Sequence, residues 1–521
     1  MLVSRKAPLA LTVPFILALA GPAGAETARQ PLSAIDWLSR SVTDPAAAAP
    51  RRPAANEPAV VASATVPPIT TRVLGGPTLD GLGILSPEAS GLPHDLWGAS
   101  PSEELVRLIR TERVDTLPSI QALLMTLLLA ELAPPDDATQ DGALFLARID
   151  KLLDLGALDP ALSLLERVKD PEPEVFRRWF DVALLTGNED RACEVMLQSP
   201  EIAPTFPARI FCLARGGDWN AAALSLRTGE ALGYIDRAMA DLLSRFLDPD
   251  LYEGEPDLPL PSRPSPLVFR LMEAIGQPMQ TTLLPLAFAQ SDLRANTGWK
   301  TRLDAAERLA RTGAIAPNQL FGLYSEQKAA ASGGVWTRVR LVAELDRALD
   351  AGDDAAITRT LPKLWSEMAA SELEVSVAQI FGDRLCPRDL APEIAPLAFR
   401  ICLLTPDFER WAGSRPATDT EERFLAGIAR GRGHDAAPPD QLGVAIAEAF
   451  APDRPLSDEF TELVARNRVG EAILRAIDKV TEGARGDLRE VTEGLQLMRA
   501  VGLETTARRA ALELVILERR G

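Results

Sequence analysis

Histidine, the usual general base near neutral pH, occurs only twice in the 521 residues, as His94 and His434. Neither has a cysteine or carboxylate at ligand spacing on a common helix face, which argues against a His-dependent triad or a His-rich metal site. Ser325-Glu326-Gln327-Lys328 has S-x-x-K spacing, which on a helix sets a lysine close to a serine nucleophile. That chemistry needs a β-sheet carrying a K-T-G strand, and the sequence offers neither. G-x-S-x-G and the phosphate-binding G-x-x-x-x-G-K are absent too. The adjacent carboxylates Glu103-Glu104 and Glu421-Glu422 read as exposed helix residues, since acidic and basic side chains mix along most helices as solvated faces do. No catalytic residue, metal ligand or cofactor is implied.

The four cysteines are more informative. Cys193 and Cys212 are close in sequence, as are Cys386 and Cys402, and neither pair has C-x-x-C spacing. Gly187-Asn188 opens one helix that ends near Ser199-Pro200, and Pro204 and Pro207 introduce the next. The first two cysteines are equidistant from that loop, so an antiparallel helix pair would bring them face to face. The second pair could staple a loop-helix unit in "CPRDLAPEIAPLAFRIC". Local pairs of even count imply disulfides and an oxidising compartment.

The first 25 residues agree with that address. Arg5 and Lys6 precede the apolar "APLALTVPFILALAG", and Ala23-Gly24-Ala25 fits a cleavage site, so the mature chain is expected to begin near Glu26. "IQALLMTLLLAELA" (120–133) is too short to span a membrane and reads as a buried helix, so no transmembrane segment is expected after cleavage. The Ala-, Arg- and Pro-rich, Lys-poor composition suggests a high-GC bacterium, hence the periplasm. The formal charge is −18, or −20 once Arg5 and Lys6 leave with the leader. Such an acidic chain would repel nucleic acid and anionic lipid.

Residues 26–98 are rich in Pro, Ala, Thr and Gly and read as a disordered tether with two apolar islands. The first, "PLSAIDWLSRSV", carries Leu32, Ile35, Trp37 and Leu38; the second is "LDGLGILSPEASGLPHDLWGAS" at 79–100. From Ser100-Pro101-Ser102-Glu103 onward, Leu and Ala recur at i, i+3, i+4 spacing and no strand pattern emerges. Short glycine turns recur in "DLGALDPALSLL", "LTGNEDRACEVM", "RGGDWNAAALSL", "DAGDDAAITRTL", "NRVGEAILRAI" and "RAVGLETTARRAAL". Glycine can end a helix in a left-handed conformation, and Asp or Asn can cap the next. The expected fold is all-α: an α-solenoid of helix-turn-helix pairs, with a first lobe at 99–247 and a second at 267–521. The Pro-rich connection 248–266 either divides the lobes or packs along one rim of a single superhelix.

"GDWNAAALSL" resembles the turn and second-helix start of a tetratricopeptide repeat, with Gly217, Trp219 and Ala222 in the expected relation. The resemblance implies a degenerate helical-repeat protein; the glycines fall about 30 residues apart and the consensus Trp, Tyr and Pro positions do not recur. A secreted acidic solenoid of this kind is expected to bind a cell-envelope protein as a scaffold or chaperone. Its layout resembles helical periplasmic chaperones of flagellar motors, and envelope-assembly complexes are further candidates; no oligomeric state is implied. The alternative is a peptidoglycan-active or peptidoglycan-binding protein, similar in architecture to lytic transglycosylase superhelices, although their catalytic Glu-Ser dipeptide is missing. Candidate partner-binding residues are the 31–42 island and Trp299, Tyr324 and Trp336, three aromatics within about 40 residues of a chain with 5% aromatics.

Overall fold

Helices succeed one another from Pro87 to Ile516, and no strand occurs among the described residues of the computed structural model, which are 78–139, 141–452 and 454–517. The fold is all-α. The leader and the island with Leu32, Ile35, Trp37 and Leu38 lie outside the described residues.

Five of the six recurring glycine turns have the backbone they were read to have. Gly156, Gly187, Gly217, Gly352 and Gly502 all take positive φ, between 68° and 88°. At Gly217 the turn joins helix Phe206–Arg215 to helix Trp219–Ala231, and Asp218 accepts the Ala221 amide at 3.0 Å to cap the second helix. Asp353 caps helix Asp354–Ala369 in the same way. Gly470 is different: it lies inside helix Val469–Gly483, and the left-handed residue of its turn is Asn467, with φ 56°.

The described parts of the stretches 99–247 and 267–521 belong to one compact unit, in which helix Pro173–Thr186 packs on helix Pro266–Ala274. The first long helices also meet the last ones. Helix Ser102–Thr111 packs on Val469–Gly483, and helix Pro118–Leu129 packs on Glu504–Ile516. Ser119 seals the second contact, its amide and hydroxyl donating to Glu513 at 2.9 and 2.7 Å. Arg475 reaches Glu104 at 2.7 Å across the first.

Residues 79–98, expected in the tether, are instead structural. Composition marked them as linker, but their few large side chains have partners remote in sequence. Asp80 is buried and accepts the Phe145 amide at 2.8 Å. Arg148 is fully buried and donates to the carbonyls of Leu82, Leu128 and Ala130 at 2.8 to 2.9 Å, and to Asp80 at 3.2 Å. Trp97 is 1% exposed and lies against Gly470, whose amide donates to the Leu96 carbonyl at 2.9 Å. The segment therefore stitches the start of the helical array to its end. The helix start near Ser100 also differs: Pro101 precedes helix Ser102–Thr111, and the distant Asp137 supplies the capping carboxylate, accepting from the Ser102 amide at 2.9 Å.

Candidate binding surface

The cysteines pair as their positions in the loops imply. Cys193 and Cys212 are bonded between helices Glu189–Gln198 and Phe206–Arg215, with Cα atoms 4.9 Å apart. Cys386 and Cys402 are bonded with Cα atoms 5.8 Å apart. All four are consumed.

Trp299, Tyr324 and Trp336 are brought together by helices Trp299–Arg311, Pro317–Ser325 and Val335–Ala351, but by packing against one another's helices. The two indoles lie 5.1 Å apart, and Trp299 donates to the Leu323 carbonyl at 2.9 Å. Tyr324 is buried, and its hydroxyl donates to Glu307 at 2.7 Å, which also accepts from Arg338. Burial and the adjacent Glu307 charge raise the phenol well above its ordinary range. These contacts take up the Tyr324 hydroxyl, while Trp299 and Trp336 remain partly exposed.

The open space lies on another face of helix Trp299–Arg311. Lys300, Asp304 and Arg308, four residues apart, share that face and line a cleft of about 860 Å³. Glu273, in the last turn of helix Pro266–Ala274, lines it too, as do Asp292, which ends the short helix Ala289–Asp292, and Arg294 just beyond it. The charges are largely paired. Arg294 donates to Glu273 at 2.8 Å, Lys300 meets Asp304 at 2.6 Å, and the Thr281 hydroxyl donates to Asp292. Arg308 is tied to the Thr281 carbonyl at 3.1 Å. Burial raises the Asp292 carboxyl, against the pull of Thr281, Arg308 and Arg294, and lowers the Arg308 guanidinium. Histidine, cysteine and serine are missing from the lining. Such a wall offers exchangeable ion pairs and threonine hydroxyls to a polar ligand rather than a nucleophile beside a base.

A second feature flanks this cleft in sequence. Of ten exposed large apolar side chains among the described residues, eight fall between residues 197 and 283, among them Trp219, Leu224, Tyr234, Leu251 and Leu260, with Leu283 83% exposed. Trp219 is 49% exposed and only tilts against Phe246, at 6.1 Å between rings. The connection 248–266 is pinned down beside them. Leu258 donates to the Gln277 amide oxygen at 3.1 Å, and Arg245 holds the Pro256 carbonyl at 2.9 Å and lies over Tyr252. Five carboxylates and no cation occupy 248–257. This surface was legible only in part. The connection's composition marked a boundary, and "GDWN" drew attention to Trp219, but exposure of alternate helix positions cannot be read from a sequence in which Leu is everywhere.

The remaining catalytic candidates are dispersed. Ser325 ends its helix and donates to the Phe321 carbonyl, while Lys328 follows outside it, so the S-x-x-K pair is not on one helix face. His434 meets only the adjacent Asp435, at 3.1 Å. Glu422 is buried rather than exposed, accepting from the Thr418 amide at 2.7 Å while its own amide donates to Asp419. Asp419 thereby caps helix Thr420–Ala429, and Glu422 ties back to Thr418 just before it. Among the described residues no cluster of His, Cys, Asp and Glu could hold a metal, and no helix is long and apolar enough to cross a membrane. No protein-family model matches the chain, and no curated protein or solved structure matches it.

Proposed function

We propose that this protein is a non-catalytic helical-repeat scaffold or chaperone of the bacterial periplasm that binds another protein of the cell envelope, with flagellar-motor and envelope-assembly complexes as candidate partners. The observation that carries the reading is the concentration of exposed apolar side chains between 197 and 283. Large apolar side chains left exposed on a folded protein are what a protein partner covers. The acidic run 248–257 adds a preference for a partner segment that is apolar and basic. Two disulfides and a leader-like N-terminus support the compartment. A second reading, a protein that binds peptidoglycan fragments, draws on the polar cleft beside Lys300 and Asp304.

The test is crosslinking and affinity capture from the envelope, using the chain from residue 26 and the triple variant Trp219→Ser, Leu224→Ser, Tyr234→Ser. Loss of the specific crosslinks with an unchanged melting temperature supports the reading. Identical partner recovery by both proteins refutes it. Binding of soluble peptidoglycan fragments that is lost in Asp304→Asn would favour the second reading.

A further inference from the structure

The two disulfides sit in different surroundings. Cys193 and Cys212 are both buried, 3% and 0% exposed, within the apolar core between their helices. Cys386 and Cys402 instead line a cleft of about 320 Å³. Cys386 follows the last residue of helix Glu374–Leu385 and is only partly covered, whereas Cys402 ends helix Ala395–Cys402 and is buried. Phe399 and Trp411 supply apolar wall, and Arg388 and Arg415 supply cations. The Arg415 guanidinium lies 4.8 Å from the Phe399 ring centre and pairs with Glu422.

We propose that the Cys386–Cys402 bridge is a thiol-exchange site, at which a small cysteinyl-peptide thiol of the glutathione class forms a mixed disulfide with Cys386. The incoming thiolate places its electron pair on Cys386 Sγ as the Cys386–Cys402 bond breaks. Cys402 leaves as thiolate and takes a proton from water. A second thiol then attacks the mixed disulfide and releases Cys386, so that two small thiols are oxidised to one disulfide while the protein bridge is reduced to two thiols. Cys386 is the sulfur attacked because its residue is only partly covered, whereas Cys402 is buried. Both sulfurs stand at helix C-termini, where the dipole disfavours thiolate, and Arg388 and Arg415 in the same wall only offset it. The site is therefore an acceptor of modification rather than a turnover catalyst. Breaking the bridge frees one closure of the loop that carries the buried Leu390 and Ile394, and so opens the cleft. This inference is independent of the partner-binding reading.

The folded full chain is incubated with reduced glutathione, quenched with N-ethylmaleimide and mapped by mass spectrometry at each cysteine. Glutathione is expected on Cys386 and maleimide on Cys402, with the initial loss of this bridge roughly a hundredfold faster than loss of Cys193–Cys212, which must wait for local opening. In concentrated urea the two rates should converge, showing that native access sets the difference. Equal native rates, earlier loss of Cys193–Cys212, glutathione on Cys402 alone, or reaction of Cys386–Cys402 no faster than global unfolding would each overturn the assignment.

Discussion

Gly470→Ala separates two reasons for a glycine. In an ordinary helix the substitution gains up to about 1 kcal/mol, because alanine is the better helix former. Here a Cβ on residue 470 would stand 2.4 Å from Trp97 Cε3, 2.9 Å from Cζ3 and 3.0 Å from the Leu96 carbonyl. Trp97 is rigid and 1% exposed, so the ring has nowhere to retreat. Overpacking of this kind costs about 1–3 kcal/mol, which matches or outweighs the propensity gain and leaves a net loss of up to about 2 kcal/mol. The Leu96–Gly470 hydrogen bond would be strained by the same displacement. The measurement is urea unfolding of four proteins: wild type, Gly470→Ala, Trp97→Leu and the double variant. Trp97→Leu is itself expected to cost about 3 kcal/mol. In that background Gly470→Ala should become neutral or stabilising, giving a coupling energy of about 2 kcal/mol. Stabilisation of the wild type by Gly470→Ala would refute the packing. An equal cost in both backgrounds would mean that residue 470 is glycine for its backbone conformation, as a turn position requires.

Arg148→Met removes the donor of four carbonyls, three of them buried, and is expected to cost about 3–5 kcal/mol by urea unfolding, with Arg148→Lys recovering only part; a neutral result would refute the clamp. Asp181 is fully buried, and burial pushes its carboxyl up to about 7 against the pull of Arg177 and Arg178. The folded chain therefore keeps a proton that the unfolded chain has lost between about pH 4 and pH 7, and stability should fall as pH rises through that window by up to about 4 kcal/mol. Asp181→Asn should flatten this slope and stabilise the protein at pH 8, whereas parallel stability curves for the two proteins would exclude Asp181 as the cause. A chain beginning at residue 78 should unfold cooperatively by circular dichroism, and one beginning at residue 99 should not, because only the second lacks Asp80, Leu96 and Trp97.

What was legible in the sequence follows how far each determinant reaches along the chain. Helix content rests on spacings of three and four residues, and the Cys193–Cys212 bridge on one loop of known midpoint, so both could be read locally. Gly217 and Gly352 were legible because positive φ is a demand the turn makes on its own residue. Gly470 carries the same letter for a nonlocal reason, the ring of Trp97, while Asn467 takes the positive φ nearby. Linker composition misled at 79–98 for the same reason. Three or four large side chains in a Pro- and Gly-rich segment suffice for a fixed structure when complementary surfaces already exist, here a helix some 370 residues away. The wall of the cleft repeats the pattern. Lys300, Asp304 and Arg308 share one helix face by their spacing of four, but Glu273, Asp292 and Arg294 come from other elements that no local spacing links to that face. A tryptophan in linker-like sequence is therefore better treated as a question about a distant glycine or groove than as a sign of a free tail. For Trp97 the answer is Gly470, and the double-variant cycle is the way to ask it.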